Sequence, residues 1–315
     1  MPPGPYCTLV RRYPGVEPLI AAELGRAYGA RRAETGVYLS PSPVPWAETA
    51  FGIAGGRQIA AASTLDELAL QVRALKLQPE SFGIVAYRIP QKAKGSSAAK
   101  KAVADVIDGG AVDTDSPALS LGLLISPAGF RLFERSSGGN ASWVRAETRP
   151  NNLPVSIGVR FAKAMLNLTT DGSRRTSVYD PFAGSGTIPL VAALSGHEAV
   201  GSDIAYKAVK LARDNARAIE AEVDFAQHDA RTTVQRADCI VGNLPYGAFC
   251  HLSVAGIDGV LANLKTLAAR ITLVTSEDIR NRLVAHGYII DSVIEVEPER
   301  FRRFVFVTRV SPGDA

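Results

Sequence analysis

The run Val178-Tyr-Asp-Pro-Phe-Ala-Gly-Ser-Gly-Thr187 closes an apolar stretch with a carboxylate, Asp180, and follows it with two glycines one residue apart. A second carboxylate, Asp203, stands in Ala199-Val-Gly-Ser-Asp-Ile204, 19 residues after Gly184. Further on, Asn243-Leu-Pro-Tyr-Gly247 joins an amide, a fixed turn and an aromatic ring. A carboxylate at a strand tip repels a pyrophosphate and holds a cationic ammonium group, while Gly184 and Gly186 let the backbone approach a ligand closely. A carboxylate about 20 residues further on is spaced to bind ribose hydroxyls. The third glycine of a dinucleotide fingerprint is replaced by Pro189, and no Gly-Lys-Ser/Thr phosphate loop is present.

The ligand that meets these demands carries an ammonium, a ribose and no phosphate, as S-adenosylmethionine does. The Asn243 motif suits the other half of a methyl transfer, to an exocyclic amine. Such an amine conjugated with a base ring is a poor nucleophile. The Asn243 side-chain oxygen and the Leu244 carbonyl could accept its two N–H groups and turn the lone pair toward a methyl group, with Pro245 fixing the turn. Tyr246 could stack on a base that has left its helix or loop.

These residues need a scaffold of alternating strands and helices. Ser177–Tyr179 reads as a strand, followed by a helix over Ile188–Ser195 that Gly196 stops. From there the spacing predicts strands at Ala199–Ser202, Val223–Phe225, Ala237–Gly242, Ile271–Thr275, Tyr288–Val296 and Arg303–Val310. Helices are predicted at Tyr206–Ile219, Ile257–Ala269 and Ile279–Ala285. The fold class is α/β, a doubly wound sheet whose ligand lies beyond the carboxyl ends of the strands. The fourth strand should neighbour the first, bringing Asn243 to the ligand.

The front half reads as α+β. A strand at Tyr6–Arg12, a helix at Glu17–Tyr28, a strand at Gly36–Leu39 and a helix near Pro45–Phe51 form a small unit. A helix from Thr64 to Leu75 opens with the capping box Thr64…Glu67. Then come a strand (Ser81–Ile89), a helix (Ser97–Ile107) and two strands (Ala118–Ser126 and Phe130–Glu134). The expected division is 1–55, 56–145, a linker with a helix (Ile157–Leu168) over 146–170, and 171–315. With 315 residues, 46% of them hydrophobic, the chain can bury more than one core.

The net charge of +4 lies wholly in the front half, where 17 Lys and Arg face 13 Asp and Glu across residues 1–150, against 18 and 18 beyond. Arg88, Lys92, Lys94, Lys100 and Lys101 fall close together, and the lysine pair lies near a helix N-terminus where the macrodipole disfavours cations. A phosphate partner accounts for that placement. No apolar run reaches transmembrane length and no signal peptide is read. Cys7, Cys239 and Cys250 show neither disulfide nor zinc spacing, so no metal is expected and a reducing cytoplasm fits. A monomer is expected.

The Ser81–Ile89 strand, the Gly95-Ser-Ser-Ala-Ala-Lys-Lys101 helix start and Ala111-Val-Asp-Thr-Asp-Ser-Pro117 running into Leu119–Ile125 resemble a THUMP domain preceded by a ferredoxin-like unit. This is the RNA-binding front half of a family of RNA-modifying enzymes. Arg149-Pro-Asn-Asn-Leu-Pro-Val-Ser156 and Phe161-Ala-Lys-Ala-Met-Leu-Asn-Leu168 are similar to the linker of THUMP-containing guanine-N2 methyltransferases. The remainder resembles the seven-stranded class I methyltransferase domain. Asn243-Leu-Pro-Tyr246 is similar to the Asn/Asp-Pro-Pro-Tyr/Phe motif of amino methyltransferases, with Leu244 in place of the first proline, as in ribosomal-RNA adenine dimethyltransferases. The resemblance thus leaves guanine N2 and adenine N6 both open.

It implies an S-adenosylmethionine-dependent RNA methyltransferase with tRNA as partner. Catalytic contacts are expected from Asn243, Leu244, Pro245 and Tyr246. Cofactor contacts are expected from Asp180, Phe182, Ala183, Gly184, Gly186, Thr187, Asp203, Ile204, Asp229, Ala230 and Asn243, with Asp229 accepting from the adenine amine. RNA contacts are expected from Arg88, Lys92, Lys94, Lys100, Lys101, Arg145 and Arg149. The rival of another class is a non-catalytic RNA-binding protein that keeps the fold.

Overall fold

The computed structural model describes residues 4–89, 95–153, 156–173, 175–245, 254–298 and 301–311. Lys92, Lys94 and Tyr246 lie outside them. The chain divides into two compact units.

The first unit comprises Met1–Arg12, Tyr28–Ala47 and Phe51–Gly139. Its strands are β1 (Tyr6–Val10), β2 (Arg31–Glu34), β3 (Val37–Ser40), β4 (Gly52–Ala62), β5 (Ser81–Arg88), β6 (Ala111–Val112), β7 (Leu119–Ser126) and β8 (Gly129–Arg135). They form one sheet in the order β2-β3-β1-β4-β8-β7-β5-β6, in which β5 runs parallel to β6 and β7 and the other pairs are antiparallel. The helix between β1 and β2, α1 (Glu17–Tyr28), belongs to the second unit up to Ala27. Helices α2 (Leu65–Ala74) and α3 (Ser96–Ala104) bury Leu68, Val72, Ala99 and Val103 against Leu121, Leu123 and Leu132 of the sheet. The expected capping box is formed: Thr64 Oγ1 accepts the Glu67 N–H, and Glu67 Oε2 accepts the Thr64 N–H.

Two expectations are corrected in this unit. Pro45–Phe51 is not a helix; only a 3-10 turn forms, over Trp46–Glu48. The expected boundary at 55/56 falls inside β4, which pairs with β1 on one side and β8 on the other. β4 carries no legible strand signal because Gly-Ile-Ala-Gly-Gly-Arg-Gln-Ile-Ala-Ala-Ala is poor in strand-forming residues. Its glycines answer to neighbours far away in sequence: a Cβ at Gly56 would lie 1.8 Å from the Glu134 carbonyl oxygen, and one at Gly55 2.8 Å from that of Cys7.

The second unit holds Tyr13–Ala27, Glu48–Ala50 and Asn140–Ala315. Its strands are β9 (Ser177–Asp180), β10 (Glu198–Asp203), β11 (Asp224–Gln227), β12 (Cys239–Asn243), β13 (Arg270–Thr275), β14 (Ile289–Val296) and β15 (Arg303–Arg309). They lie in the order β11-β10-β9-β12-β13-β15-β14, with β15 antiparallel to both neighbours. This is the class I methyltransferase arrangement. The sheet order turns back between β9 and β12, so the tips of β10, β9 and β12 share the ligand edge. Helices α4 (Val159–Thr170), α5 (Thr187–Leu194), α6 (Tyr206–Ala218), α7 (Val254–Leu264) and α8 (Arg280–Ala285) complete the unit. No helix among the described residues is long and apolar enough to cross a membrane.

α4, expected to cover the sheet from a linker, is instead core: every residue from Val159 to Thr170 except Arg160 is buried. Its polar Asn167 is buried because Nδ2 donates to Glu23 Oε1 at 2.6 Å and to the Glu48 carbonyl at 3.0 Å. Glu23 Oε1 also accepts the Ala50 N–H at 2.8 Å. The sequence of α1 placed it with the front half, yet Glu23 ties it to α4, and Arg26 pairs with Asp171 at 2.6 Å.

Glu23 is fully buried and Oε2 has no partner among the described residues. Burial raises its carboxyl from the usual 4.5 to about 7, against the lowering effect of its two hydrogen bonds and Lys163. Between those values the folded state binds the extra proton, so stability falls as pH rises from about 4.5 through 7. Glu23→Gln should remove that slope, which amounts to about 3 kcal/mol. Urea melts of parent and variant between pH 5 and 8 check it; parallel pH profiles would refute the assignment.

Candidate active site

Asp180 ends β9 and is 1% exposed, with Oδ1 accepting the Phe182 N–H at 2.9 Å. That turn sends the chain into the glycine loop. Burial, reinforced by the nearby charge of Asp203, raises the Asp180 carboxyl well above the usual carboxylate range. No ion pair relieves it among the described residues, so an arriving ammonium group would find a buried acceptor with no competing cation.

Asp203 does more than was expected. Its Oδ2 accepts the Gly184 N–H and its Oδ1 the Ala205 N–H, both at 2.9 Å. The residue expected to bind ribose therefore also holds the loop, leaving part of each oxygen's acceptor capacity for a ligand. Gly184 and Gly186 have φ of 53° and 87°, the left-handed region that favours glycine. At Gly186 a Cβ would also approach Phe225 of β11 to 2.9 Å. A buried hydroxyl network lies beneath, in which Tyr179 Oη contacts Ser202 Oγ at 2.6 Å and Thr233 Oγ1 at 3.2 Å.

The expected residues come together across β9, β10 and β12. Phe182 reaches from the loop to β12, where a Cβ on Gly242 would lie 3.0 Å from its ring. Gly242 thus makes room for Phe182 immediately before Asn243. Asn243 ends β12 opposite Val274, and Leu244 N–H donates to the Val274 carbonyl at 3.0 Å. Leu244 is 2% exposed and packs into the core cluster that includes Ile240 and Leu273.

Other positions are more varied. Ile204 is 62% exposed at the tip of β10, and Ala183 and Ala230 are buried. Asp229 is engaged by Arg231, whose Nε lies 3.0 Å from both carboxylate oxygens, which holds the carboxyl below its usual range. Any ligand amine there shares Asp229 with that guanidinium.

Arg149 is corrected. It was expected to meet RNA, but it is 8% exposed and turned inward, with Nη1 donating to the Ala146 carbonyl at 2.8 Å and Nη2 to Thr187 Oγ1 at 3.1 Å. A guanidinium so enclosed cannot reach a phosphate backbone. Arg145, by contrast, is exposed, with Nη2 donating to the Glu220 carbonyl at 3.2 Å.

One residue was missed. Asn215, fully buried on α6, accepts the Asn151 N–H and donates Nδ2 to the carbonyls of Asn151 and Ser185, each at 2.8 Å. With the Ser156–Ser185 hydroxyl pair at 3.0 Å, it straps the segment after Arg149 onto the glycine loop. The signal for it was a polar residue on the apolar face carrying Val209, Ala212 and Ala216.

Residues 146–257 match the family model described as UPF0020, RMKL-like methyltransferase domain. That stretch is similar to a methyltransferase domain. The matched range runs from the strap through the Asn243 motif and so contains the whole constellation. The chain is also 33% identical, over 108 residues, to the tRNA (guanine(10)-N2)-dimethyltransferase of Methanothermobacter thermautotrophicus. That match covers 33% of this chain and 31% of the relative, so the chain spans about a third of that enzyme's length. Among solved structures, TrmN from Thermus thermophilus matches over 98% of this chain and all of its own, with a TM-score of 0.51 and 23% identity. A possible methylase from Clostridium difficile 630 matches over 98% of both chains, with a TM-score of 0.50 and 16% identity. At these identities the two structures show a shared fold.

Proposed function

We propose that the protein methylates the exocyclic N2 of guanine in tRNA, using S-adenosylmethionine. The observation that carries this reading is the loop that Asp203 holds through Gly184, joined by Phe182 on Gly242 to the strand that ends in Asn243. A buried Asp180 with no ion pair among the described residues and a ribose-spaced Asp203 fit the ammonium and hydroxyls of that cofactor, and the named relative supports guanine N2 as the acceptor. S-adenosylmethionine supplies an electrophilic methyl group on a sulfonium that leaves as a neutral thioether.

The rest is positioning by this chain. The Asn243 amide oxygen and the Leu244 carbonyl take the two N–H groups of the amine, directing its lone pair toward the cofactor edge. The amine becomes acidic only as it is alkylated, so its proton can pass to water without a strong base. Tyr246 stacks on the extruded base. The front half carries RNA affinity through Arg88, Lys92, Lys94, Lys100 and Lys101, as a THUMP-type domain would. Lys101 shares its charge with Asp105 at 2.7 Å, whereas Lys100 has no ion pair among the described residues.

Leu244 favours a second reading, adenine N6, through the Asn-Leu-Pro-Tyr variant. Incubation with methyl-labelled cofactor and bulk tRNA, followed by digestion to nucleosides, separates the two. Label in N2-methylguanosine or its dimethyl form is expected. Label in N6-methyladenosine would establish the second reading, and no label in any tRNA nucleoside would overturn the first.

A further inference from the structure

The cofactor reading explains one buried charge, Asp180, and leaves another unexplained. Arg149 is more than nine-tenths buried, its Nε has no hydrogen-bond partner and it forms no ion pair among the described residues. Burial pulls its guanidinium below the usual arginine range, with only Glu147 opposing. It is also placed where a cation is least welcome, on Thr187, the first residue of α5, whose dipole presents its positive end there. An arginine in that position destabilises the empty loop unless an anion joins it.

The surroundings point to where the anion sits. Thr187 Oγ1 accepts from Arg149 Nη2, and no acceptor for its own proton exists among the described residues, so the hydroxyl remains a donor. The Thr187 and Ile188 N–H groups that open α5 have no partner within the helix, Pro189 has no N–H, and Gly186 at the cap has no side chain to accept from them. Asn215 and the Ser156–Ser185 pair hold the strap that carries Arg149 against this turn. The loop thus has a buried carboxyl, Asp180, at its start and a buried cation, Arg149, at its end.

We infer that Arg149 is the residue that makes this site select a zwitterionic amino-acid end: it fixes the Thr187 hydroxyl and supplies the positive charge against which the cofactor's carboxylate docks. The inference rests on the cofactor reading above, and it assigns to Arg149 a positioning and specificity role. A ligand with the ammonium but without the carboxylate would satisfy Asp180 and leave Arg149 unpaired.

Calorimetry with S-adenosylmethionine and with its decarboxylated form tests this, because the two differ only in the carboxylate. The parent should prefer S-adenosylmethionine by roughly ten- to a hundred-fold, the worth of one charge-assisted contact. Arg149→Met should lose that preference by weakening S-adenosylmethionine alone, and Arg149→Lys should restore part of it. Thr187→Val, which keeps the side-chain shape, should also weaken S-adenosylmethionine selectively; it carries the test if Arg149→Met is recovered unfolded. Equal weakening of both ligands, or no preference in the parent, overturns the role of Arg149 while leaving the cofactor reading in place. A folded parent that binds neither ligand overturns the cofactor reading itself.

Discussion

Asn243→Ala is expected to bind cofactor and tRNA within a few-fold of the parent and to transfer methyl groups at least a hundred-fold more slowly. The fold tolerates the change, because the β12 tip is anchored through its backbone. Asn243 stands in register with Val274, and Leu244 donates to the Val274 carbonyl and buries its side chain below. What the substitution removes is an acceptor for one N–H of the target amine. That contact counts chiefly once the lone pair is aligned for attack, so its loss appears in turnover and hardly in ground-state binding. A hundred-fold loss corresponds to about 2.7 kcal/mol of barrier, in the range of a lost positioning contact. Tyr246→Ala should differ by also weakening capture of the base, since a stacking platform is worth about 1–3 kcal/mol per base. Single-turnover rates at saturating tRNA and cofactor decide the matter. An Asn243→Ala protein that transfers methyl at the parental rate would show that this motif does not hold the amine.

Asp203→Ala is expected to lower affinity for S-adenosylhomocysteine about a hundred-fold. Two effects combine. The ribose loses a charge-assisted acceptor worth about 1.5–3 kcal/mol, and the Gly184 and Ala205 N–H groups lose theirs, releasing the glycine loop. Asp203→Asn keeps one acceptor oxygen in the same place and should lose only about ten-fold. Calorimetry measures the affinities, and amide hydrogen exchange at Gly184 reads the loop separately. Protection lost at Gly184 in the alanine variant, with affinity unchanged, would leave Asp203 a structural residue and move ribose binding elsewhere.

Much of the second unit was legible because its signals are local. A strand ending in Asp180, glycines in the left-handed region, an apolar helix and a carboxylate about 20 residues on each follow from near neighbours, and the structure sets them within a few residues of the expected places. The same locality explains the Thr64–Glu67 capping box. Failures came where a residue's environment is supplied from far along the chain. β4 looks like a glycine- and alanine-rich connector, yet it pairs with β1 and β8 across most of its length because close backbone approach suits small residues.

The residue types and spacings by themselves determined the α/β class and put Asp180, Gly184, Gly186, Asp203 and Asn243 at strand ends and turns, since each placement depends on short-range periodicity or on a turn's demand for a particular residue. Tertiary structure alone decided the rest. It took α1 out of the front half and tied it to α4 through Glu23 and Asn167, 144 residues apart. It turned Arg149 from an expected phosphate contact into a buried partner of Thr187, 38 residues on, and made Asn215 the clamp between strap and loop. The physical reason is common to these cases. A charge or an amide reads as surface in sequence, and only the folded chain shows whether its hydrogen-bond partners have been assembled well enough for it to be buried.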